Sequence, residues 1–369
     1  MTAIIEVRQL QKHYGGPLAV RDVSFAVTEG EFLSLLGASG SGKTTTLRMI
    51  AGLETPTRGS VMFRGRDITH VPVAQRDMRM VFQDFALFPN LTVWENVAFG
   101  LRLRINRGRV TGDQIKARVG RYLETVQLSG HAEKMPHQLS GGQRQRVSLA
   151  RALVTDPPVV LFDEPLGSLD ANMRKVMQLE LKRLHRELRK TFIYVTHDQE
   201  EAMGLSDRVA VLQDGQLLQL GTADDIYFRP NCAAVAGFIG AANVLQGTAE
   251  TADNGLLTVQ LAGGARLEAG DNADGVANGE TVTVMLRAEQ VRVAPVSTVA
   301  AGVLRARITE RLFLGEKVRY ELELATGLRL TAIEAGDHDR LTLGDEVLVC
   351  ADPRHVRVIA RGATSKVDT

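Results

Sequence analysis

Cysteine is almost missing from this chain. Cys232 and Cys350 are the two thiols in 369 residues, and they stand far apart without metal-ligand spacing, which excludes a disulfide framework and a zinc site. Both read as ordinary buried or partly buried thiols. Also missing is any apolar run near the ~18 residues of a membrane-spanning helix. The N-terminus has neither a basic start nor the apolar stretch of a secretory signal, so a cytoplasmic location is expected. A strong charge of either sign is lacking too. Residues 240–369 carry 14 Lys and Arg against 18 Asp and Glu, and residues 1–239 carry 30 against 25. These balances of −4 and +5 are far from the basic excess of a protein whose main partner is a nucleic-acid backbone. What is present, 44% hydrophobic and 24% charged residues, is the composition of a globular protein, long enough for two or three domains.

Up to about Arg229 short apolar runs alternate with longer periodic segments, the pattern of an α/β fold. The runs Phe32–Leu36, Val159–Phe162 and Phe192–Val195 suit a parallel sheet buried on both faces. Between Ala171 and Lys190 the positions Met173, Met177, Leu181, Leu184 and Leu188 mark one helix face turned to a core. Asp214-Gly215 between apolar runs predicts a two-residue hairpin over 208–221. Near Gly237–Gly240 the helical period fades. Alternating strands follow, with Leu257, Val259 and Leu261, then Val282, Val284 and Leu286, then Val318, Tyr320, Leu322 and Leu324, then Val347 and Val349. A separate all-β domain is expected over 240–369.

Gly37-Ala38-Ser39-Gly40-Ser41-Gly42-Lys43-Thr44 fits the pattern G-x-x-x-x-G-K-[ST]. It directly follows one of the predicted strands and precedes a helix-compatible run, Thr45–Ala51. Small residues let successive N–H groups turn toward phosphate oxygens at a helix N-terminus. Lys43 would neutralise β and γ phosphates, and Thr44 would place its hydroxyl on Mg²⁺.

Three further groups stand at predicted strand ends, where α/β sheets gather ligands. Asp163 suits a Mg²⁺ contact and Glu164 the general base that polarises a water; a solvated acidic pair is the plainer reading of these two alone. His197 could donate to a γ-phosphate, though a lone histidine is more often structural. Gln83 can reach the metal or the attacking water. Ser140 is a plausible N-cap for a helix reaching about Val154, with Gly141 and Gly142 exposing N–H groups. Taken alone, that segment reads as a capped helix.

Together, Leu139-Ser140-Gly141-Gly142-Gln143 resembles the signature sequence of ATP-binding cassette (ABC) proteins, with every companion motif in family order: the phosphate loop, a Q-loop at Gln83, a Walker B strand ending in Asp163 and Glu164, a D-loop at Ser168-Leu169-Asp170, and a switch histidine at His197. The resemblance covers about residues 3–235. It implies a P-loop NTPase with a RecA-like core and a helical signature subdomain over about 90–155, in a domain spanning 1–239. It implies ATP and Mg²⁺ as cofactors. The nucleotide would touch Gly37, Ser39, Gly40, Ser41, Gly42, Lys43, Thr44 and Thr45, with Tyr14 stacked on adenine and the sugar near Ala19 or Val20. Ser140, Gly142 and Gln143 would complete the site of a second copy packed head to tail. Thr44, Gln83 and Asp163 would serve the metal, and Glu164, His197 and Gln83 the hydrolysis. The segment Phe85–Pro89 resembles the place where a permease docks, its exposed apolar side chains forming a partner site, with a buried hairpin as the alternative for Phe85 itself. The basic run Arg102, Arg104, Arg107 and Arg109 matches no motif and reads as a solvated loop.

The second domain resembles the transport-associated, OB-like regulatory domain of importer ATPases for polyamines, ferric iron, sulfate, molybdate, phosphonates and sugars. Phe238-Ile239-Gly240 with Asn243 is similar to its entrance, and Arg287-Ala288-Glu289 to its Arg-Pro-Glu turn with Ala in place of Pro. Its acidic balance, and the lack of interleaved basic and aromatic residues, argue against oligonucleotide binding. The resemblance therefore implies the energy-coupling ATPase of an importer, peripheral on the cytoplasmic side of the inner membrane, with permease subunits and a solute-binding protein as partners. Polyamine, ferric iron and phosphonate stand as solutes. The rival, a soluble ABC ATPase acting on DNA or ribosomes, usually carries long coiled-coil inserts or two cassettes, and neither is present. A regulator without hydrolysis is opposed by the pair Asp163 and Glu164.

Overall fold

The structure, a computed structural model, describes residues 3–103, 110–251, 256–270, 275–296, 304–336 and 341–361. Of the basic run, Arg104, Arg107 and Arg109 lie outside the described residues. The described chain forms two compact units, Met1–Ala223 and Asp224–Thr369.

In the first unit, β1 (Ala3–His13) and β2 (Leu18–Thr28) lead to β3 (Phe32–Leu36) and α1 (Lys43–Ala51). Next come β4 (Arg58–Phe63), β5 (Arg66–Asp67) and β6 (Met78–Val81). Three helices follow, α2 (Val93–Arg102), α3 (Gly112–Thr125) and α4 (Gly141–Leu153). Then β7 (Val159–Asp163), α5 (Ala171–Leu188), β8 (Thr191–Thr196), α6 (Gln199–Leu205), β9 (Arg208–Gln213) and β10 (Gln216–Gly221) close the unit. One sheet has the order β2-β1-β4-β5 and the other β10-β9-β3-β8-β7-β6. In the second, β9, β3, β8, β7 and β6 run parallel, and every residue of β3, β7 and β8 is buried. Continuous apolar runs are what such a doubly covered sheet demands.

The hairpin turns where Asp-Gly predicts it. Gln213 pairs with Gln216, and Asp214 and Gly215 take φ of 50° and 77°, as a two-residue turn requires. On α5, Met177, Leu181 and Leu184 are buried and Met173 and Leu188 pack against the same core at the helix ends. Helices α2, α3 and α4 each open on a capping box, Thr92 with Glu95, Thr111 with Gln114 and Ser140 with Gln143. Each box satisfies two N–H groups that a helix start leaves free.

The second unit is all-β after α7 (Ala223–Phe228) and α8 (Ala233–Phe238). Its strands are β11 (Ala242–Thr251), β12 (Leu257–Leu261), β13 (Arg266–Ala269), β14 (Thr281–Arg287) and β15 (Arg292–Pro295), followed by β16 (Leu304–Phe313), β17 (Lys317–Leu324), β18 (Arg329–Ala335), β19 (Glu346–Cys350) and β20 (Arg357–Arg361). They form two antiparallel five-stranded sheets, β13-β12-β11-β14-β20 and β15-β19-β16-β17-β18. The predicted alternating residues of β12, β14, β17 and β19 fill one core between them. Asn243 joins the sheets: its Nδ2 donates to Leu286 O and Thr331 O, and its Oδ1 accepts from Thr331 N at 2.7 Å.

The division falls after Ala223, the first residue of α7, ahead of the composition change near 239. Arg287 explains why. Its guanidinium is 1% exposed, donates to the carbonyls of Tyr227, Ala236 and Ile239, and lies 4.2 Å from the Tyr227 ring centre. Glu289 accepts from the Tyr227 hydroxyl. The Arg-Ala-Glu turn thus ties both short helices to β14. One thiol differs from expectation: Cys350, the last residue of β19, is exposed, while Cys232 is half-buried.

Candidate functional site

Parallel register brings four strand ends to one edge. Leu36 pairs with Thr196, Asp163 with Val195, and Val81 with Phe162. The residues that follow these strands, namely the loop from Gly37, Glu164, His197 and Gln83, therefore emerge together, which is where open α/β sheets hold ligands.

The loop Gly37–Gly42 can be built only from small residues at two of its turns. A side chain on Gly37 would begin 2.2 Å from the Leu212 carbonyl oxygen, and one on Gly42 would begin 2.6 Å from that of Ala19. Gly42, with φ of 93°, delivers the chain into α1. Ser39 and Gly40 stand exposed at the crest, Thr44 and Thr45 are half-buried, and the Ser41 hydroxyl is buried with no protein partner. Lys43 lies across the loop, its Nζ donating to Gly37 O and Ala38 O at 2.9 and 2.8 Å. Burial lowers the Lys43 pKa, and the negative charges of Glu164 and Asp163 oppose that shift.

Thr44 Oγ1 donates to Asp163 Oδ1 at 2.9 Å. Burial raises the Asp163 pKa, against the Thr44 hydrogen bond and Arg48, whose Nη2 is 3.8 Å from Oδ2. Adjacent hydroxyl and carboxylate oxygens are the hard donor set that Mg²⁺ takes together with substrate phosphates. Among the described residues no three or more His, Cys, Asp or Glu are placed to hold a metal ion by themselves.

Glu164 is held in an unusual backbone state. Its φ is 46°, a conformation costing a residue with a side chain about 1–2 kcal/mol, and its N–H donates to Val195 O at 3.1 Å. Its Oε2 meets His197 Nδ1 at 3.1 Å. Gln83 is exposed beside them: a side chain on Gly167 would begin 3.7 Å from Gln83 Nε2 and 4.0 Å from Glu164 Oε2. Ammonium, hydroxyl, two carboxylates, imidazole and amide thus converge, a set able to hold a polyphosphate and to polarise a water against it.

Not every predicted position joins this edge. Tyr14 is 57% exposed, with Lys12 Nζ 4.9 Å from its ring centre, and presents an open aromatic face. Val20 is fully buried while Ala19 is half-buried, which leaves Ala19 as the accessible member of that pair. Ser140 is exposed and caps α4, its Oγ accepting from Gln143 N at 3.3 Å while Gln143 Oε1 accepts from Ser140 N at 3.0 Å. Gly142 is buried against Met173. Among the described residues no hydrogen bond or ion pair links 140–143 to 37–45.

Residues without a sequence signal complete the picture. Phe85 is buried, as the buried-hairpin alternative for that residue expects. It and Ala86 take φ of 63° and 45°, and α4 holds them from behind. Arg151 donates to Ala86 O and Phe85 O at 2.6 and 2.9 Å, and Ser148 to Phe85 O at 3.0 Å. Leu87 and Phe88 are half-buried, and Ala86 and Pro89 are exposed. Arg151 and Ser148 lie in a plain helical run, so nothing in their spacing announces a carbonyl partner over sixty residues away.

Residues 20–167 match the ABC transporter family and residues 284–359 the TOBE domain. The chain is 46% identical to the spermidine/putrescine import ATP-binding protein of Rubrobacter xylanophilus over 96% of this chain and 93% of that one. It is 44% identical to the protein of the same description from Thermobifida fusca over 92% and 88%. Among solved structures it resembles cbiO1 of Clostridium perfringens, part of an ABC transporter complex (TM-score 0.56, 28% identity, 61% of this chain and 91% of that chain). It also resembles a dimeric bacterial ABC transporter cassette (TM-score 0.53, 35% identity, 59% and 98%). The chain belongs to the ABC transporter family, as an import-type ATP-binding subunit: an ATPase that carries a C-terminal TOBE domain.

Proposed function

We propose that this chain energises a polyamine importer, acting as a pair on the cytoplasmic face of the permease. The observation that carries the reading is the convergence of Lys43, Thr44, Asp163, Glu164 and His197 at one sheet edge, while the Ser140 helix start is tied to other parts of its own chain. Two half-sites in one molecule favour two copies packed head to tail, each nucleotide lying between Lys43 and Thr44 of one copy and Ser140 and Gly142 of the other. ATP bound in this way prefers the closed pair, and that differential affinity is the work a transporter can use.

Within each site Thr44, Asp163 and Gln83 would hold Mg²⁺, which would supply positive charge against that of the phosphates. Lys43 offsets their charge, Ser41 and the loop N–H groups cradle them, and Tyr14 stacks on adenine. Glu164 accepts the proton of the attacking water. His197, fixed against Glu164, donates toward the γ-phosphate. Polyamine as the solute rests on relatives similar across both units; a solute-binding protein would deliver it outside. No helix among the described residues is long and apolar enough to cross a membrane; contact with the permease would run through residues 86–89.

Glu164→Gln tests the chemistry. It should retain ATP binding, lower turnover by about 10²–10⁴-fold as loss of a general base does, and accumulate an ATP-bound dimer in size-exclusion chromatography. Unchanged turnover would remove Glu164 from its role.

A further inference from the structure

Behind His197 lies a charged node that the chemistry above leaves unused. Arg174, on the first turn of α5, donates from Nη2 to the Leu169 carbonyl at 3.1 Å, inside the loop Ser168–Asp170. Its Nη1 stands 3.7 Å from Asp198 Oδ2 and its Nε 3.8 Å from Glu201 Oε1. Glu201 is buried, and its Oε2 accepts from Tyr194 Oη and Thr196 Oγ1, both at 2.8 Å. Thr196 Oγ1 in turn accepts from Asp198 N at 2.9 Å, and Asp198 Oδ1 caps α6 through Glu201 N. The residues on both sides of His197 are thereby fixed in one network with Arg174 as its cation.

We propose that Arg174 is a positioning residue that couples the Ser168–Asp170 loop to the His197 turn, so that movement of the loop re-aims His197 against Glu164. Tight charge-assisted bonds run at about 2.7–2.9 Å; both carboxylates here stand farther off, and Arg174 Nε is buried without a hydrogen-bond partner. The node is therefore short of full closure. A small shift of Leu169 carries the guanidinium toward one carboxylate or the other, and the planar five-donor fork can keep its carbonyl while doing so. The inference rests on the reading that Glu164 and His197 perform the hydrolysis.

The test compares full-length Arg174→Ala, Arg174→Lys and Asp198→Asn chains with Glu164→Gln. ATP affinity of Arg174→Ala should stay within about 2-fold of the parent, because Lys43 and Thr44 are untouched, while kcat falls about 10–100-fold, the scale of a catalytic group misplaced by an ångström. Arg174→Lys should fall between, since one ammonium cannot hold a carbonyl and two carboxylates at once. Asp198→Asn keeps an oxygen for the α6 cap, and combined with Arg174→Ala it should cost no more than Arg174→Ala alone. Normal kcat in Arg174→Ala, additive losses, or a parallel fall of ATP affinity and melting temperature would overturn the coupling. If Glu164→Gln is inactive while Arg174→Ala turns over normally, only the coupling fails; if Glu164→Gln also turns over normally, the hydrolysis reading falls with it.

Discussion

At the scale of single residues, the site holds groups that folding alone disfavours. Asp163 is buried with its pKa raised. A carboxyl whose folded pKa lies above its unfolded value stabilises the fold below the unfolded pKa and loses that contribution as pH rises through the folded one. At neutral pH the ionised Asp163 is therefore a cost to the nucleotide-free fold. Asp163→Asn keeps an oxygen for the Thr44 hydroxyl and removes the charge. It should raise the melting temperature of the nucleotide-free chain at pH 7, with the difference shrinking as pH falls toward 3.8, while ATP hydrolysis is lost. Melting curves across pH with a parallel turnover assay check both halves; a lower melting temperature at pH 7 would contradict the sign. Glu164 shows the same tension in its backbone, since φ of 46° is tolerated where neighbouring strands over-determine it.

Among elements, α4 has two working ends. Its N-terminus is capped by Ser140 and Gln143, and its last turns grip the carbonyls of Phe85 and Ala86 through Ser148 and Arg151. A rigid helix between the two carries displacement from one to the other, provided both ends stay attached. Burial lowers the Arg151 pKa against the pull of Asp84, so the guanidinium is committed to these carbonyls at a desolvation cost. Arg151→Ala should leave ATP binding within about 2-fold of the parent, as a helix substitution remote from the loop does. It should reduce permease-stimulated hydrolysis in reconstituted vesicles several-fold more than the basal rate. Equal loss of both rates would place Arg151 in the scaffold alone.

On the scale of the whole molecule, each unit has its own core: the residues that pack β12, β14, β17 and β19 together are all C-terminal, and the parallel sheet is enclosed by N-terminal residues. Arg287 is a buried cation that anchors α7 and α8 in the second unit. Arg287→Met replaces it with an apolar side chain and leaves the carbonyls of Tyr227, Ala236 and Ile239 without their donor, a loss on the order of 3 kcal/mol. Calorimetry should show the C-terminal transition moving down. An unshifted transition would mean that water or backbone adjustment replaces the guanidinium.

The sequence by itself determined the loop Gly37–Thr44, the strands β3, β7 and β8, the stripe on α5, the Ser140 cap and the Asp214-Gly215 turn. In each of these the cause is local: a backbone angle, a period of two or 3.6 residues, or a cap three positions from its partner. Only the tertiary structure decided that Phe85 is buried, that the second unit begins at Asp224, that Arg151 and Arg287 hold distant carbonyls, and that Arg174 faces the carboxylates of Asp198 and Glu201. An arginine on a helix or at a strand end looks the same in sequence whether it meets water or a carbonyl. What tells the two apart is which backbone group the fold removes from solvent, and that depends on how separate elements pack.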